Sequence, residues 1–323
     1  MRKIIAIAML GLASTVTLAD VAVKGSFGYR YDSLDVGTAP TINQDKLKAA
    51  LKLSADVNDK TKVVVGLRTG DYNTPYVTMG GGTSLKNIDL NLAYVEYAPL
   101  ASTKVTLGKM DQPWANSSSL FFDKDIKPEG LAVAFDAGNG LSANAYSLTV
   151  AEGGLKPDSK VKGFQVGVAK ELAGLNVGAY AGVMNHDYAI PNSTLRAKLD
   201  VTHLGASVSK GPFTAFVDQA KNDKAALGKD DTALAYGVTF GKASAPGTWD
   251  AGYLHQKVEK NSLSALWLDN EFAAGAAQHE GDVFAVNYVV AKGWKLSGKY
   301  YDAEVGPNKI DHKHVTLDLN YMF

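Results

Sequence analysis

The C-terminal segment of the chain, residues 315–323, alternates between apolar and polar side chains and ends on an aromatic residue. A period of two is typical of a β-strand with one face in an apolar medium and the other in water. A soluble protein seldom ends in this way, whereas the closing strand of a membrane barrel does, with aromatic rings at the interface. The apolar face comprises Val315, Leu317, Leu319, Tyr321 and Phe323, and the polar face His314, Thr316, Asp318 and Asn320.

The N-terminus has the order of a secretory signal peptide. Arg2 and Lys3 precede the apolar stretch 4–12, and a run of small residues follows to Ala19. Basic, apolar and small-residue segments in this order direct export and are then removed. We therefore predict a signal peptide at 1–19 and a mature domain at 20–323, with a buried N-terminal helix as the alternative.

Composition narrows the classes of exported protein. No later segment reaches the roughly 18–20 apolar residues that a spanning helix needs. The chain has no cysteine, so disulfides cannot stabilise it, and its 32 glycines with abundant tyrosine and valine favour β structure. Its 33 basic and 33 acidic residues balance, which argues against a nucleic-acid partner. A periplasmic, a secreted and a barrel protein remain.

Strand-like runs recur along the mature chain, and we count about sixteen. Short connections alternate with long polar segments, as in an up-and-down antiparallel barrel with tight turns at one rim and long loops at the other. A soluble β-sandwich offers no reason for this alternation. The long segments are 32–45, 71–87, 111–129, 151–159, 185–196, 220–231, 258–281 and 303–312. The runs are 23–31, 46–57, 61–70, 88–97, 103–110, 130–136, 141–150, 160–170, 175–184, 197–208, 213–219, 232–241, 248–257, 282–290, 294–302 and 313–323.

Aromatic residues support this topology, since many fall at the ends of runs next to short connections. We predict that they form one girdle at the periplasmic membrane interface. The girdle comprises Phe213, Trp249, Trp294, Tyr321 and Phe323, together with Tyr97 and Phe240.

These features together resemble the Gram-negative outer-membrane porins, over the whole mature chain and as a pattern rather than a single motif. Residues 107–109 and 125–130 look like the flanks of a porin third loop, and 267–272 looks like a segment of some porins. The resemblance implies an all-β transmembrane barrel of about sixteen strands in the outer membrane. It also implies a homotrimer of water-filled channels, each narrowed by an inward third loop, with the C-terminal strand contacting the barrel-assembly machinery.

Strand parity places many basic side chains inside the predicted barrel. They come from the first three runs and the fifteenth, which closure makes neighbours, and Asp56 and Asp318 are the only acids expected to oppose them. Like charges on one wall need solvation, which a water-filled lumen supplies. A dispersed hydrophilic wall without a role in selectivity is the alternative. The set is Lys24, Arg30, Lys46, Lys48, Lys52, Lys62, Arg68, Lys295 and Lys299.

The segment 111–129 is the expected counterpart of this basic wall. It carries the adjacent pair Phe121 and Phe122, for which a solvated loop has little use. We predict that these rings anchor the loop on the wall, with Asp123, Asp125 and Glu129 facing Arg30, Lys48, Lys52 and Arg68 across a constriction. An external loop with locally packed aromatic residues is the alternative.

Other features carry weaker signals. Segment 258–281 is amphipathic and is expected to cover the mouth, contact a neighbouring subunit, bind calcium or simply pack as a loop. Loop 71–87, with glycines 80–82, is a candidate subunit latch by resemblance. His312 and His314 share a strand face, but a single pair predicts no metal site. We expect no enzyme, no metal and no cofactor.

The sequence therefore predicts an outer-membrane porin, embedded in lipid, for passive diffusion of small hydrophilic solutes and ions. Two alternatives stay open: a substrate-specific channel that prefers anions, and a structural or adhesin barrel with a closed lumen.

Overall fold

The computed structural model describes residues 21–80, 85–151, 158–189, 196–225 and 229–323. The predicted signal peptide at 1–19 lies outside this part of the chain, as do Gly81 and Gly82 of the proposed latch. Two short 3-10 turns, Ala265–Trp267 and Ala273–Gly275, accompany the strands. None of the helical segments among these residues has the length and apolar character to cross a membrane.

Sixteen long strands form one closed antiparallel barrel, which confirms the predicted fold class. Each pairs with its neighbour in the chain, and the last pairs with the first. The two-residue strand β4 pairs with β2 beyond the end of β3. The strands are β1 (Ala22–Val36), β2 (Ile42–Asn58), β3 (Thr61–Thr69), β4 (Val77–Thr78), β5 (Ile88–Leu100), β6 (Thr103–Lys109), β7 (Glu129–Asp136), β8 (Leu141–Ala151), β9 (Ser159–Leu172), β10 (Leu175–Ala189), β11 (Arg196–Lys210), β12 (Phe213–Asn222), β13 (Thr232–Gly241), β14 (Trp249–Val258), β15 (His279–Ala291), β16 (Trp294–Val305) and β17 (Ile310–Met322).

The C-terminal residue closes the seam between β17 and β1. Phe323 and Gly25 exchange two backbone hydrogen bonds, each of 3.0 Å. The Phe323 ring lies directly over Gly25, where a Cβ would overlap the ring. Glycine at this position therefore leaves the space that the terminal aromatic ring occupies.

Side chains alternate between the inside and the outside of the barrel as predicted. In β17, Thr316 and Asp318 are buried, whereas Leu317 and Leu319 are 50% and 38% exposed on the outer face. The same rule resolves the register of β11, because His203 is buried and Leu204 is exposed. An apolar outer surface and a polar interior follow from this alternation.

The strict alternation of short and long connections is wrong at two places. β1 continues to Val36 and β2 begins at Ile42, so the expected loop 32–45 is a turn at 37–41. The expected loop 303–312 is likewise reduced to 306–309. These strands extend beyond the apolar band with polar residues such as Ser33 and Asp35 on the outer face, so the apolar pattern stops before the hydrogen-bonded ladder does.

Candidate functional site

Residues 110–128, here called the first inner loop, connect β6 to β7 and lie inside the barrel. Phe121 and Phe122 are each 3% exposed. The ring of Phe122 lies 4.5 Å from that of Trp114 and 5.7 Å from that of His186 in β10, and Phe121 lies 5.2 Å from His203 in β11. Since both histidines face the lumen, the loop packs on the inner wall.

Hydrogen bonds fix the same loop to neighbouring strands. The Gln165 side chain of β9 donates to the backbone oxygen of Ala115 at 2.8 Å and accepts from its nitrogen at 2.7 Å. Asp218 of β12 accepts from the Ser117 nitrogen at 3.1 Å and the Ser118 hydroxyl at 2.5 Å. The loop is thus anchored on the side of the barrel formed by β9–β12.

Residues 259–278, here called the second inner loop, connect β14 to β15 and also fold inward. Leu263, Trp267 and Phe272 are buried. The ring of Trp267 lies 5.6 Å from that of Phe122, and the Asp123 nitrogen donates to the Trp267 oxygen at 2.6 Å. The two inner loops therefore contact each other inside the lumen.

Glu271 of the second inner loop is the centre of a buried ion cluster. Its Oε1 accepts from Arg30 at 2.5 Å, and its Oε2 accepts from Lys299 at 3.1 Å and from the Tyr301 hydroxyl at 2.8 Å. Although burial alone would raise the pKa of Glu271, the charges of Lys299, Lys124 and Arg30 hold it well below its ordinary value. Glu271 is thus a carboxylate that ties the loop to β1 and β16.

Two further acids extend this cluster along the seam. Asp318 accepts from Arg30 at 2.7 and 3.0 Å and from the Tyr76 hydroxyl at 2.5 Å. Asp32 is hydrogen-bonded to both Lys46 and His314. Tyr76 belongs to the segment proposed as a latch, and its ring packs 3.9 Å from the Arg30 guanidinium of the same barrel.

The expectation that only Asp56 and Asp318 oppose the basic wall is wrong. Asp32 lies within β1 rather than in a loop, and loop acids supply further partners. Lys24, Lys48 and Lys295 form no ion pair with any residue that the structure describes. The observed pairs are Arg30 with Glu271 and Asp318, Lys46 with Asp32, Lys52 with Asp111, Lys62 with Asp56, Arg68 with Asp125, and Lys299 with Glu271.

The three acids expected at the constriction occupy different places. Asp125 lies 3.5 Å from Arg68 Nη1. Glu129 begins β7 opposite Lys109 of β6 and bonds its Nζ at 2.7 Å, so Glu129 is at the rim and does not contact the basic wall. Its position at the first residue of a strand ties it to its cross-strand neighbour.

Asp123 is 1% exposed and points towards the second inner loop. It accepts from the Asp125 nitrogen at 2.8 Å and from the Asn270 nitrogen at 3.4 Å. Burial, and next the charge of Asp269, raises the pKa of Asp123 to about 7. The carboxyl group thus belongs to the contact between the two loops.

Asp111 and Glu271 contact the predicted basic wall but were not assigned to it from the sequence. Asp111 lies 3.8 Å from Lys52 and 3.0 Å from Lys127. The signal for the second inner loop was its cluster of large apolar residues, which resembles that of the first. These apolar residues indicate that the second inner loop folds into the barrel, in the same way that Phe121 and Phe122 indicate it for the first inner loop.

Two cavities flank the first inner loop along the wall of β5–β8. The one at the rim with long loops has a volume of about 690 Å³ and is lined by Arg68, Lys109 and Lys127, among others. The one towards the short turns has about 520 Å³, with Glu96 and Lys104 in its lining. Trp114 lines both cavities, so the two spaces adjoin at its ring.

The residues of the predicted girdle lie at the rim with short turns. The rings of Phe213 and Phe240 are 4.8 Å apart, and those of Trp294 and Tyr321 are 4.9 Å apart. Phe213 and Trp249 are 62% and 49% exposed. These rings project outward from neighbouring strands.

Sequence comparison finds a family match over part of the chain. Residues 27–155 match the model of the family described as "Putative porin". The resemblance to the outer-membrane porins is confirmed. Together, the family match and the barrel support an outer-membrane channel. The sequence matches no curated protein significantly.

Solved porins share this fold at low sequence identity. OprB of Pseudomonas putida has a TM-score of 0.67 and 10% identity, with 94% of each chain covered. OmpF of Salmonella typhi, solved in complex with daunomycin, has a TM-score of 0.60 and 13% identity over 94% of this chain and 97% of that one. A mutant of Rhodopseudomonas blastica porin has a TM-score of 0.57 and 13% identity, covering 94% and 100%.

Proposed function

We propose that this protein is a porin through which small hydrophilic solutes and ions diffuse passively across the outer membrane. The observation that carries this proposal is the pair of adjoining cavities beside Trp114, both lined by charged side chains. Lys52 and Lys104 keep 40% and 53% of their side-chain surface exposed inside the barrel. Charges remain exposed within a lumen when water fills it.

In this proposal the first inner loop forms the constriction. Trp114 separates the two cavities, while Asp111 and Asp125 of the loop lie 3.8 and 3.5 Å from Lys52 and Arg68 of the wall. Opposed charges create a transverse field that orients polar solutes and disfavours bulky apolar ones. Lys24, Lys48, Lys62, Lys295 and Lys299 would contribute positive charge to the rest of the wall.

The outer surface supports the placement in the membrane. The exposed rings of Phe213, Trp249, Trp294 and Phe323 would form the periplasmic girdle, with the apolar band above them in lipid. Export by the signal peptide, assembly as a homotrimer, and recognition of the C-terminal strand by the barrel-assembly machinery complete the proposal. The signal peptide is predicted from residues 1–19, whereas the homotrimer and the assembly machinery come from the resemblance to porins.

Liposome swelling tests the proposed diffusion. Proteoliposomes that contain the full chain should swell in an isosmotic small sugar, with rates that fall as the sugar becomes larger. The matched control is protein heated before reconstitution. Absence of swelling with every sugar, from a barrel shown to be folded, would contradict the proposal and favour a closed structural barrel.

A further inference from the structure

The Glu271 carboxylate accepts hydrogen bonds from a set of donor side chains on strands of the barrel wall. Arg30 from β1 binds one oxygen, and Lys299 and Tyr301 from β16 bind the other. Arg30, Tyr301 and Glu271 are at most 8% exposed. Each oxygen thus has its own hydrogen-bond donors, and this is the arrangement that a planar carboxylate group requires.

Contacts within the wall hold these donors without help from the loop. Asp318 accepts two hydrogen bonds from Arg30, and the Tyr76 ring packs against the same guanidinium. Lys299 donates to the Tyr301 hydroxyl at 3.1 Å. The donors therefore belong to the barrel, whereas the carboxylate that they bind, Glu271, lies on the loop between β14 and β15.

A cavity of about 210 Å³ adjoins the site. Lys299 and Tyr301 line it together with Phe216, Leu254 and Val283 of the wall, and Lys124 and Asp269 of the two inner loops also contribute to its lining. A solute whose carboxylate reached Lys299 would place the rest of its body against these apolar side chains. Small pockets with mostly apolar walls and a few polar anchors select molecules of that type.

The geometry points to a carboxylate-binding site at Arg30, Lys299 and Tyr301, in which Glu271 is an exchangeable internal ligand. Its external ligands are small organic carboxylates with an apolar body. The inference rests on the proposed function, because such solutes would reach the site through the lumen. Exchange of one carboxylate for another keeps the buried charges of the cluster balanced.

Isothermal titration calorimetry of the full chain in detergent, with butyrate as the probe and neutral butyramide as its control, tests the site. Butyrate should bind the wild-type chain weakly and butyramide should not bind. Glu271→Gln removes the internal competitor and should tighten butyrate binding by at least about tenfold. Binding in detergent needs no conduction, so a failure of the porin proposal would instead appear in liposome swelling.

Two lysines of β16 supply a matched pair of variants. Lys299→Met should weaken butyrate binding to the Glu271→Gln chain about tenfold, because a charged donor is lost. Lys295 faces the same lumen but contacts neither inner loop, and Lys295→Met should leave the affinity unchanged. Tyr301→Phe, which keeps the ring, should also weaken binding.

The inference is overturned if butyramide binds as well as butyrate, or if Glu271→Gln fails to tighten binding. Equal effects of Lys295→Met and Lys299→Met would also overturn it, since general electrostatics would then explain the binding. Should Glu271→Gln not fold, Glu271→Asp, whose shorter side chain reaches the donors less well, replaces it: tighter butyrate binding then supports the site, and unchanged binding contradicts it.

Discussion

The two inner loops occupy one lumen but are held by different interactions. The first inner loop is packed through Phe121, Phe122 and Trp114, and its contacts with β9–β12 include aromatic rings and hydrogen bonds to the wall. The second inner loop packs Phe272 against Tyr301 of the opposite wall, and it also has a buried ion cluster there, in which Glu271 binds charged side chains of β1 and β16.

This difference separates a fixed element from an adjustable one. Burial of large rings is non-directional and nearly independent of salt and pH. A buried ion cluster contributes little net stability while all its charges are matched, yet it is costly to leave one charge unpaired. We therefore expect the first loop to set the shape of the lumen and the second to respond to changes in charge.

The largest expected effect comes from Phe122→Ala. The ring contacts Trp114, His186 and Trp267, and its removal should weaken docking of the first loop by about 3–5 kcal/mol. Single-channel conductance should then increase. Phe135→Ala, on the exposed outer face of β7, is the control and should leave conductance unchanged.

Arg30→Met should affect the second inner loop next most strongly. It leaves Glu271 Oε1 unpaired and leaves Asp318 with the Tyr76 hydroxyl as its remaining buried partner, at a cost of about 3 kcal/mol. Trypsin should then cleave after Lys260 in that loop faster than in the wild type. The control is Lys24→Met, which removes a positive charge from the same face of β1 at an exposed position. Equal cleavage rates of the two variants would show that the buried ion cluster does not hold the second inner loop.

The contact between the loops should weaken as pH rises. Burial raises the pKa of Asp123 to about 7, so the docked state binds a proton that the undocked carboxyl, with its ordinary lower pKa, releases. The contribution of this proton to the free energy of docking is complete below the ordinary pKa of the undocked carboxyl group. Above that pKa the contribution decreases by ~1.4 kcal/mol for each pH unit, until about pH 7. Conductance should rise over this window in the wild type, whereas Asp123→Asn should show a flat profile.

The smallest expected effect is that of Lys52→Met. Its pair with Asp111 spans 3.8 Å and is half exposed, so the change in stability should stay within about 0.5 kcal/mol. The reversal potential in asymmetric salt should shift towards cations, and more strongly at low ionic strength. An unchanged reversal potential would show that Lys52 does not line the path of ions.

The period-two alternation predicted the barrel, its closure and the facing of most side chains, because each strand spans lipid on one side and water on the other. The alternation does not predict where strands end beyond the apolar outer band, because both faces of a strand are polar there. The expected loop 32–45 includes Asp32 for that reason, although β1 continues to Val36.

The candidate site was harder to predict than the wall. The rings of Phe121 and Phe122 indicated an inward loop, but the partners of Glu271 are distant in sequence, on β1 and β16. Nothing local in residues 267–272 specifies which wall the carboxylate meets. The predicted position of Glu129 in the loop is wrong because the composition of segment 111–129 does not show that its last residue begins a strand.

Single-channel conductance of a chain with a shortened second loop tests the central claim that the inner loops narrow an open lumen. Val258 and His279 are paired at the ends of β14 and β15, so a tight turn can replace residues 260–277 without breaking the barrel. We expect stable currents from the wild type and a clearly larger conductance from the shortened chain. Equal conductance of the two chains, or no current from either, would contradict it.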